Sequence, residues 1–258
     1  ELAWVTQNET TLCVKLTKNI ILNEETFSID AEGNLEIPTT LRIQWKPTEN
    51  TIQNFDGNGY AISGLYVDNP DSNYQGLFKR VSGNLSSSIK NLAIVNAYVR
   101  GKNYTGGFIG SNAIVSSKTI IKGTKIKDCI FEGTVIGDSL VGGFVGYSNL
   151  AIENSSSNGH IFGGISVGGI AGQLTDSATT VSNTGIVNGD SMVGGIIGYA
   201  TANATLYGLS NEGSVTGIKY VGGILGLDKN DDSVSMSSSY NRGSVNGKQF
   251  VGGVAGYF

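Results

Sequence analysis

Cysteine is nearly absent. The 258-residue chain holds only Cys13 and Cys129, which excludes a disulfide scaffold and a cysteine-built zinc site. With three prolines it is neither collagen-like nor a proline-rich linker. Charge is thin: 15% of residues are Asp, Glu, Lys or Arg, against roughly 25% in ordinary soluble domains. The formal net charge is −4, with a pI near 5.0. No basic patch stands out, which argues against nucleic acid and anionic membrane surfaces as partners. No apolar run approaches the roughly 18 residues of a membrane span, so no membrane insertion by this region is expected. The opening ELAWVTQNET is not a signal peptide, so an exported protein would have lost its leader before this point.

What is abundant is glycine, 38 residues, about twice the usual share. Recurring glycine pairs fall at 106–107, 142–143, 168–169, 194–195, 222–223 and 252–253, in steps of 36, 26, 26, 28 and 30 residues. Five sit in the phrases LVGGFVGY, SVGGIAGQ, MVGGIIGY, YVGGILGL and FVGGVAGY. A shorter phrase precedes each of these at a fixed distance: GTVIG, GHIFG, GIVNG, GSVTG and GSVNG, with a weaker first copy, AYVRG. Self-similarity at a fixed period is the signature of a repeat architecture.

Three apolar columns run through the unit. One is Val99, Val135, Ile161, Val187, Val215 and Val245. The second is Thr105, Val141, Val167, Val193, Val221 and Val251; the third is Ile126, Ile152, Ala178, Leu206 and Met236. Glycine and polar turns separate them, so each marks a short strand. VGGIL also has helical spacing, but two adjacent glycines cost a helix roughly 2 kcal/mol; a strand with a glycine kink or bulge fits better. A unit of three short strands cannot bury its own apolar side, and stacking the units does so. The expected fold is all-β: a right-handed parallel β-helix, or solenoid, with about 26–30 residues per coil. Two expectations follow from the columns. Asn183, Asn211 and Asn241 align and would form either a hydrogen-bonded ladder or three separate turn residues. Cys129 aligns with Ser155, Val181, Leu209 and Ser239, the place of a small inward residue rather than a nucleophile.

The phrases resemble the bacterial GLUG repeat, G-x-V-x-G-x-x-x-V-G-G-[LIV]-[VA]-G, over about residues 90–258. FDGNGYAISGLYVDN from Phe55 to Asn69, then YQGLFKRV and IKNLAIVNAYV, resemble the segment that commonly precedes such arrays. The resemblance implies an exported, extracellular or cell-surface protein with a structural or adhesin-like role. The array is similar to those in the non-catalytic part of immunoglobulin A-cleaving metallopeptidases. Residues 1–89 are read as N-terminal β coils or a cap, continuous with repeat coils at 90–258 as one solenoid. Because the last phrase reaches Phe258 with no cap, the natural polypeptide is expected to continue, or another chain to cover this end.

VGGFVG lacks the lysine and hydroxyl residue of a P-loop and leads into no helix, so Gly142, Gly143, Gly168, Gly169, Gly194, Gly195, Gly222, Gly223, Gly252 and Gly253 read as structural. The one histidine, His160, stands where other copies have Thr134, Ile186 or Ser214 and reads as a surface residue. HExxH is absent. In DKNDDS, Asp228, Asn230 and Asp232 alternate like the start of a calcium loop, but Ser233 replaces the expected glycine and no glutamate closes the loop; a solvated loop is the alternative. Asp128, Asp138, Asp176 and Asp190 fall in different turns without the clustering a glycosidase needs. Tyr147, Tyr199 and Tyr257 share one column; Tyr104, Tyr220 and Phe250 share another with Leu140 and Met192. Such rings either stack on a host glycan or protein partner, or cover the glycine-rich strands and each other. The chain therefore reads as non-catalytic and cofactor-free. The alternatives are an accessory region of a larger secreted protease and a carbohydrate-active β-helix enzyme.

Overall fold

The computed structural model describes residues 13–24, 26–27, 43–48, 54–81, 88–112, 125–201, 204–228 and 234–258. They form short strands and no helix. Successive coils stack as parallel strands, giving a β-solenoid with sheets of nineteen, seven and six strands. One coil shows the plan. Ser177–Asn183 and Val187–Asn188 lie in the nineteen-stranded first sheet, Ser191–Gly194 in the six-stranded second sheet, and Ile197–Ala200 in the seven-stranded third sheet. Coil lengths differ because residues are added at one corner, between the third sheet and the next coil's first sheet: Ser111 to Lys125, Ala200 to Thr205 and Asp228 to Ser235.

The apolar columns stack in register. Ile126, Ile152, Ala178, Leu206 and Met236 are direct partners. So are Val99, Val135, Ile161, Val187, Val215 and Val245. Thr105, Val141, Val167, Val193, Val221 and Val251 complete the set, each followed by the stacked first glycine of its pair. Residues upstream of the phrases join the same stack: Cys13–Lys15 pairs with Asn54–Asp56, which pairs with Ser88–Lys90.

The glycine phrase differs from the expected kinked strand. It is two strands on two sheets, Lys219–Gly222 and Leu225–Asp228, with a corner between them. Close approach explains the pair. A Cβ on Gly194 would lie 1.9 Å from the Ile197 carbonyl oxygen, so the first glycine admits the tight corner. A Cβ on Gly195 would lie 2.1 Å from the Gly223 oxygen in the next coil and 2.5 Å from Asn211 Cγ. The second glycine therefore sets how closely coils stack and makes room for the asparagine column.

That column is both a ladder and a set of turns. Asn183 Nδ2 donates to Asn211 Oδ1 at 2.9 Å, and Asn211 Nδ2 donates to Asn241 Oδ1 at 2.8 Å. The same amides bond their own turns: Asn183 Nδ2 to Gly185 O at 3.1 Å and Gly185 N–H to Asn183 Oδ1 at 3.2 Å. Asn183 and Asn211 are fully buried, where an unmet amide would cost about 1–3 kcal/mol. The ladder ends at Ser157, and one coil further its register position is Phe131. From there the core is aromatic, with Phe55, Phe78, Phe108, Phe131 and Phe144 all buried and Phe108 stacked on Phe144 at 4.7 Å.

Cys129 is buried in its expected column, its backbone N–H donating to Ser155 Oγ at 3.1 Å. Burial pushes its thiol up to about 12, whereas Cys13 is exposed.

Two predictions follow. Gly195→Ala should destabilise the chain by about 2–3 kcal/mol through overpacking. Gly253→Ala, whose Cβ would meet nothing within 4 Å, should change stability by less than about 0.5 kcal/mol; paired thermal melts compare them. Under mildly alkaline conditions a thiol reagent should label Cys13 alone, with Cys129 reacting only after denaturation. Because the folded state favours the neutral Cys129 thiol, its contribution to stability is lost as pH rises from 9.0 towards about 12.

Candidate functional site

The site grows from a backbone feature. The residue two places before the second-sheet corner is left-handed in coil after coil: Tyr74, Tyr104, Leu140, Ser166, Met192, Tyr220 and Phe250 have φ between 52° and 61°. An L-residue there carries a cost of roughly 1–2 kcal/mol. Ladder partners flank this residue while it is skipped, as with Ser139↔Ile165 and Val141↔Val167 around Leu140 and Ser166. Rings in the column stack: Tyr74 on Tyr104 at 4.7 Å and Tyr220 on Phe250 at 4.9 Å.

A second column faces it from the third sheet. Arg80, Ser111, Tyr147, Gln173, Tyr199, Leu227 and Tyr257 are partners in register. The last glycine of each phrase lets the sheets meet. A Cβ on Gly198 would lie 2.5 Å from Val167 N and 2.6 Å from Ser166 C, so the third sheet rests on the backbone of the left-handed column.

Between the columns lies an open groove of about 660 Å³, with Leu140, Met192 and Tyr220 on one wall and Gln173, Tyr199 and Tyr257 on the other. Tyr257 meets Tyr220 and Phe250 edge-on at 6.1 Å each. Lys219 Nζ sits 4.7 Å above the Tyr220 ring. Burial, and then the charge of Asp228, raise the Tyr199 hydroxyl above the ordinary tyrosine range, so it remains a neutral donor. Ring faces beside an amide and hydroxyls suit the apolar face and hydroxyls of a sugar, or the side chains of a protein.

The structure thus joins two columns that the sequence suggested separately. Tyr199 and Tyr257 line the groove; Tyr147 stands in their column, half-buried, outside that lining. The rings pack on one another, as one of the two readings had it, and they also wall a groove. Asp228 is buried at the groove's edge, while Asn230 and Asp232 lie outside the described residues. Among the described residues, no group of three His, Cys, Asp or Glu could hold a metal ion. His160 is half-buried, paired with Thr134 on the first sheet. Asp138 and Asp190 share one corner, two coils apart, with Gly164 hydrogen-bonded between them.

Sequence reasoning missed the left-handed columns. A second one, at the first-sheet corner, includes Asn91, Asp128, Asn154, Thr180 and Ser238. Its asparagines and aspartate carried a signal, since those residues tolerate the left-handed region. Nothing about Leu140 or Met192 did.

No family model matches the chain. Halomucin of Haloquadratum walsbyi is 37% identical over 91 residues, which is 35% of this chain and 1% of that protein. The chain thus corresponds to a very small part of that curated relative. Among solved structures, a Bacteroides ovatus chain described as a candidate immunoglobulin A1 protease superposes with a TM-score of 0.69 at 20% identity, covering 93% of this chain and 72% of that one. At that identity the likeness establishes the shared fold.

Ser166→Gly tests the backbone feature. It relieves the left-handed cost and loses only a weak contact from Ser166 Oγ to Met192 Sδ at 3.9 Å. The melting temperature should hold or rise, whereas Ser166→Val should lower stability by about 1 kcal/mol or more.

Proposed function

We propose that this chain is a non-catalytic β-solenoid module of an exported cell-surface protein, and that it holds a host glycan or protein along the groove between Met192/Tyr220 and Tyr199/Tyr257. The observation that carries this reading is the groove itself: open, walled by rings on both sides, and built from the positions the repeat leaves free to vary. The repeat's constant residues are committed to stacking, which suits a rigid support displaying variable side chains. The resemblance of its phrases to the GLUG repeat supports export and surface display.

A second reading is favoured by the fold shared with the Bacteroides ovatus chain. In it, this solenoid is the accessory region of a larger secreted protease, and substrate or host contact is its contribution. An HExxH domain elsewhere in the natural polypeptide would favour this reading; surface-anchor signals without a peptidase domain would favour the first.

The test is a glycan array and a panel of host surface proteins, probed with the wild-type chain and Tyr199→Ala. Wild type should retain a subset of probes, and the variant should bind them about tenfold more weakly, as expected for a lost ring contact. Failure of wild type to bind either class would leave only the role of a spacer.

A further inference from the structure

We infer that the aromatic groove takes an extended β-1,4-linked glycan, laid along the solenoid axis, with every second sugar on a tyrosine ring. This inference rests on the binding role proposed for that groove, and it names the ligand's linkage and direction.

The groove is built in steps. A Cβ on Gly172 would lie 2.6 Å from Leu140 C, and a Cβ on Gly198 2.6 Å from Ser166 C. Gly226 is seated in the same way on Met192, and Gly256 on Tyr220. The two walls run in opposite senses, since Gly142 lies against Ala171 while Leu140 lies against Gly172. The residue after each third-sheet glycine therefore comes beside the left-handed residue of the coil before. Gln173 stands beside Leu140, and Tyr199 beside Ser166. Leu227 and Tyr257 follow beside Met192 and Tyr220, the last pair in ring contact at 6.1 Å. All of these line the groove, and each step advances one coil, about 4.8 Å.

Along the third-sheet wall the steps alternate. Tyr147, Gln173, Tyr199, Leu227 and Tyr257 are partners in register. Rings thus recur at every second coil, about 9.6 Å apart. The facing column differs: Tyr220 and Phe250, on adjacent coils, stack on each other at 4.9 Å. Tyr199 also stands beside Ser166, the smallest member of the left-handed column, so the facing wall crowds that ring least.

A period of two coils selects among polymers. In an extended polypeptide, like-facing side chains recur every two residues, about 6.8 Å, which falls out of step with the rings. In a β-1,4-linked chain of pyranoses, each sugar is turned over relative to the one before and advances the chain by little more than one coil. The same apolar face therefore returns at every second sugar, and so at every ring. An α-1,4-linked chain coils and leaves a straight groove. Between the rings, the Gln173 amide offers a donor and an acceptor to sugar hydroxyls, while Met192 and Leu227 meet the apolar edge of the next sugar.

Isothermal titration of the full chain with cellotetraose and chitotetraose tests this, with cellobiose, chitobiose and maltotetraose as comparisons. At least one β-1,4-linked tetrasaccharide should bind saturably and about tenfold more tightly than its disaccharide, because only the longer chain reaches both Tyr199 and Tyr257. Tyr199→Ala and Tyr257→Ala should each weaken it by about tenfold. Tyr240→Ala, an exposed ring on the first sheet, should bind as wild type does. A double variant, Tyr199→Leu with Leu227→Tyr, keeps the same side chains in the groove but moves one ring by one coil; it should bind as weakly as Tyr199→Ala. Circular dichroism confirms that each variant retains its strands, and Tyr257→Ala alters a different coil should the double variant not fold. The inference is overturned if neither tetrasaccharide binds, if maltotetraose binds as well, or if the double variant binds as wild type does. The glycan array and host panel separate the two readings. Other ligands lost on Tyr199→Ala, with no tetrasaccharide bound, overturn the linkage alone; no binding in any assay overturns the groove's binding role as well.

Discussion

Where the second and third sheets meet, one backbone lies on another at a separation that no β-carbon can enter. A Cβ at Gly172, Gly198 or Gly226 would sit 2.5 Å from a main-chain atom of the neighbouring sheet. That contact fixes the corner, and the corner fixes the rest. It brings two columns within reach across a groove and turns each glycine phrase from one strand into two. It also places the second glycine of the pair against the buried asparagines. The glycines are thus neither flexible linkers nor anion cradles. They are the points at which the coil is thinnest.

Two ways of filling a solenoid meet in this chain. Towards Cys13 the core is aromatic, with Phe108 and Phe144 stacked face to face. Towards Phe258 the corresponding space is lined by Asn183, Asn211 and Asn241. The change comes at Phe131, Ser157 and Asn183, which are successive residues of one column. Aromatic filling is non-directional and tolerates imperfect register. An amide ladder does not, since each side chain must donate to the next coil and to its own turn at once. Register is therefore specified most tightly where the repeat is most regular.

Much of this was legible in the sequence. Residues facing inward answer to the same neighbour in every coil, so Val141, Val167 and Val193 announce their column by repetition. The asparagine column was legible for the same reason, though not that it would bond along the axis and within its turns together. The left-handed residues of the second-sheet column were not legible, because their conformation is imposed by hydrogen bonds between coils and not by their own preferences. Leu140, Met192 and Phe250 would each choose another region in isolation. The groove was invisible for a related reason: Tyr199 and Tyr220 lie on different sheets, and only the corner sets them face to face.

Constant register has a further consequence for how such a chain changes over generations. Because each coil presents the same joining surfaces above and below, an unequal recombination that duplicates one interior coil would be accommodated as an insertion of one more layer. The groove would lengthen by about 4.8 Å, while the other coils kept their surroundings. Reach along the axis and the side chains that any one coil displays are therefore separately heritable, the first adjusted by copy number and the second by point substitution.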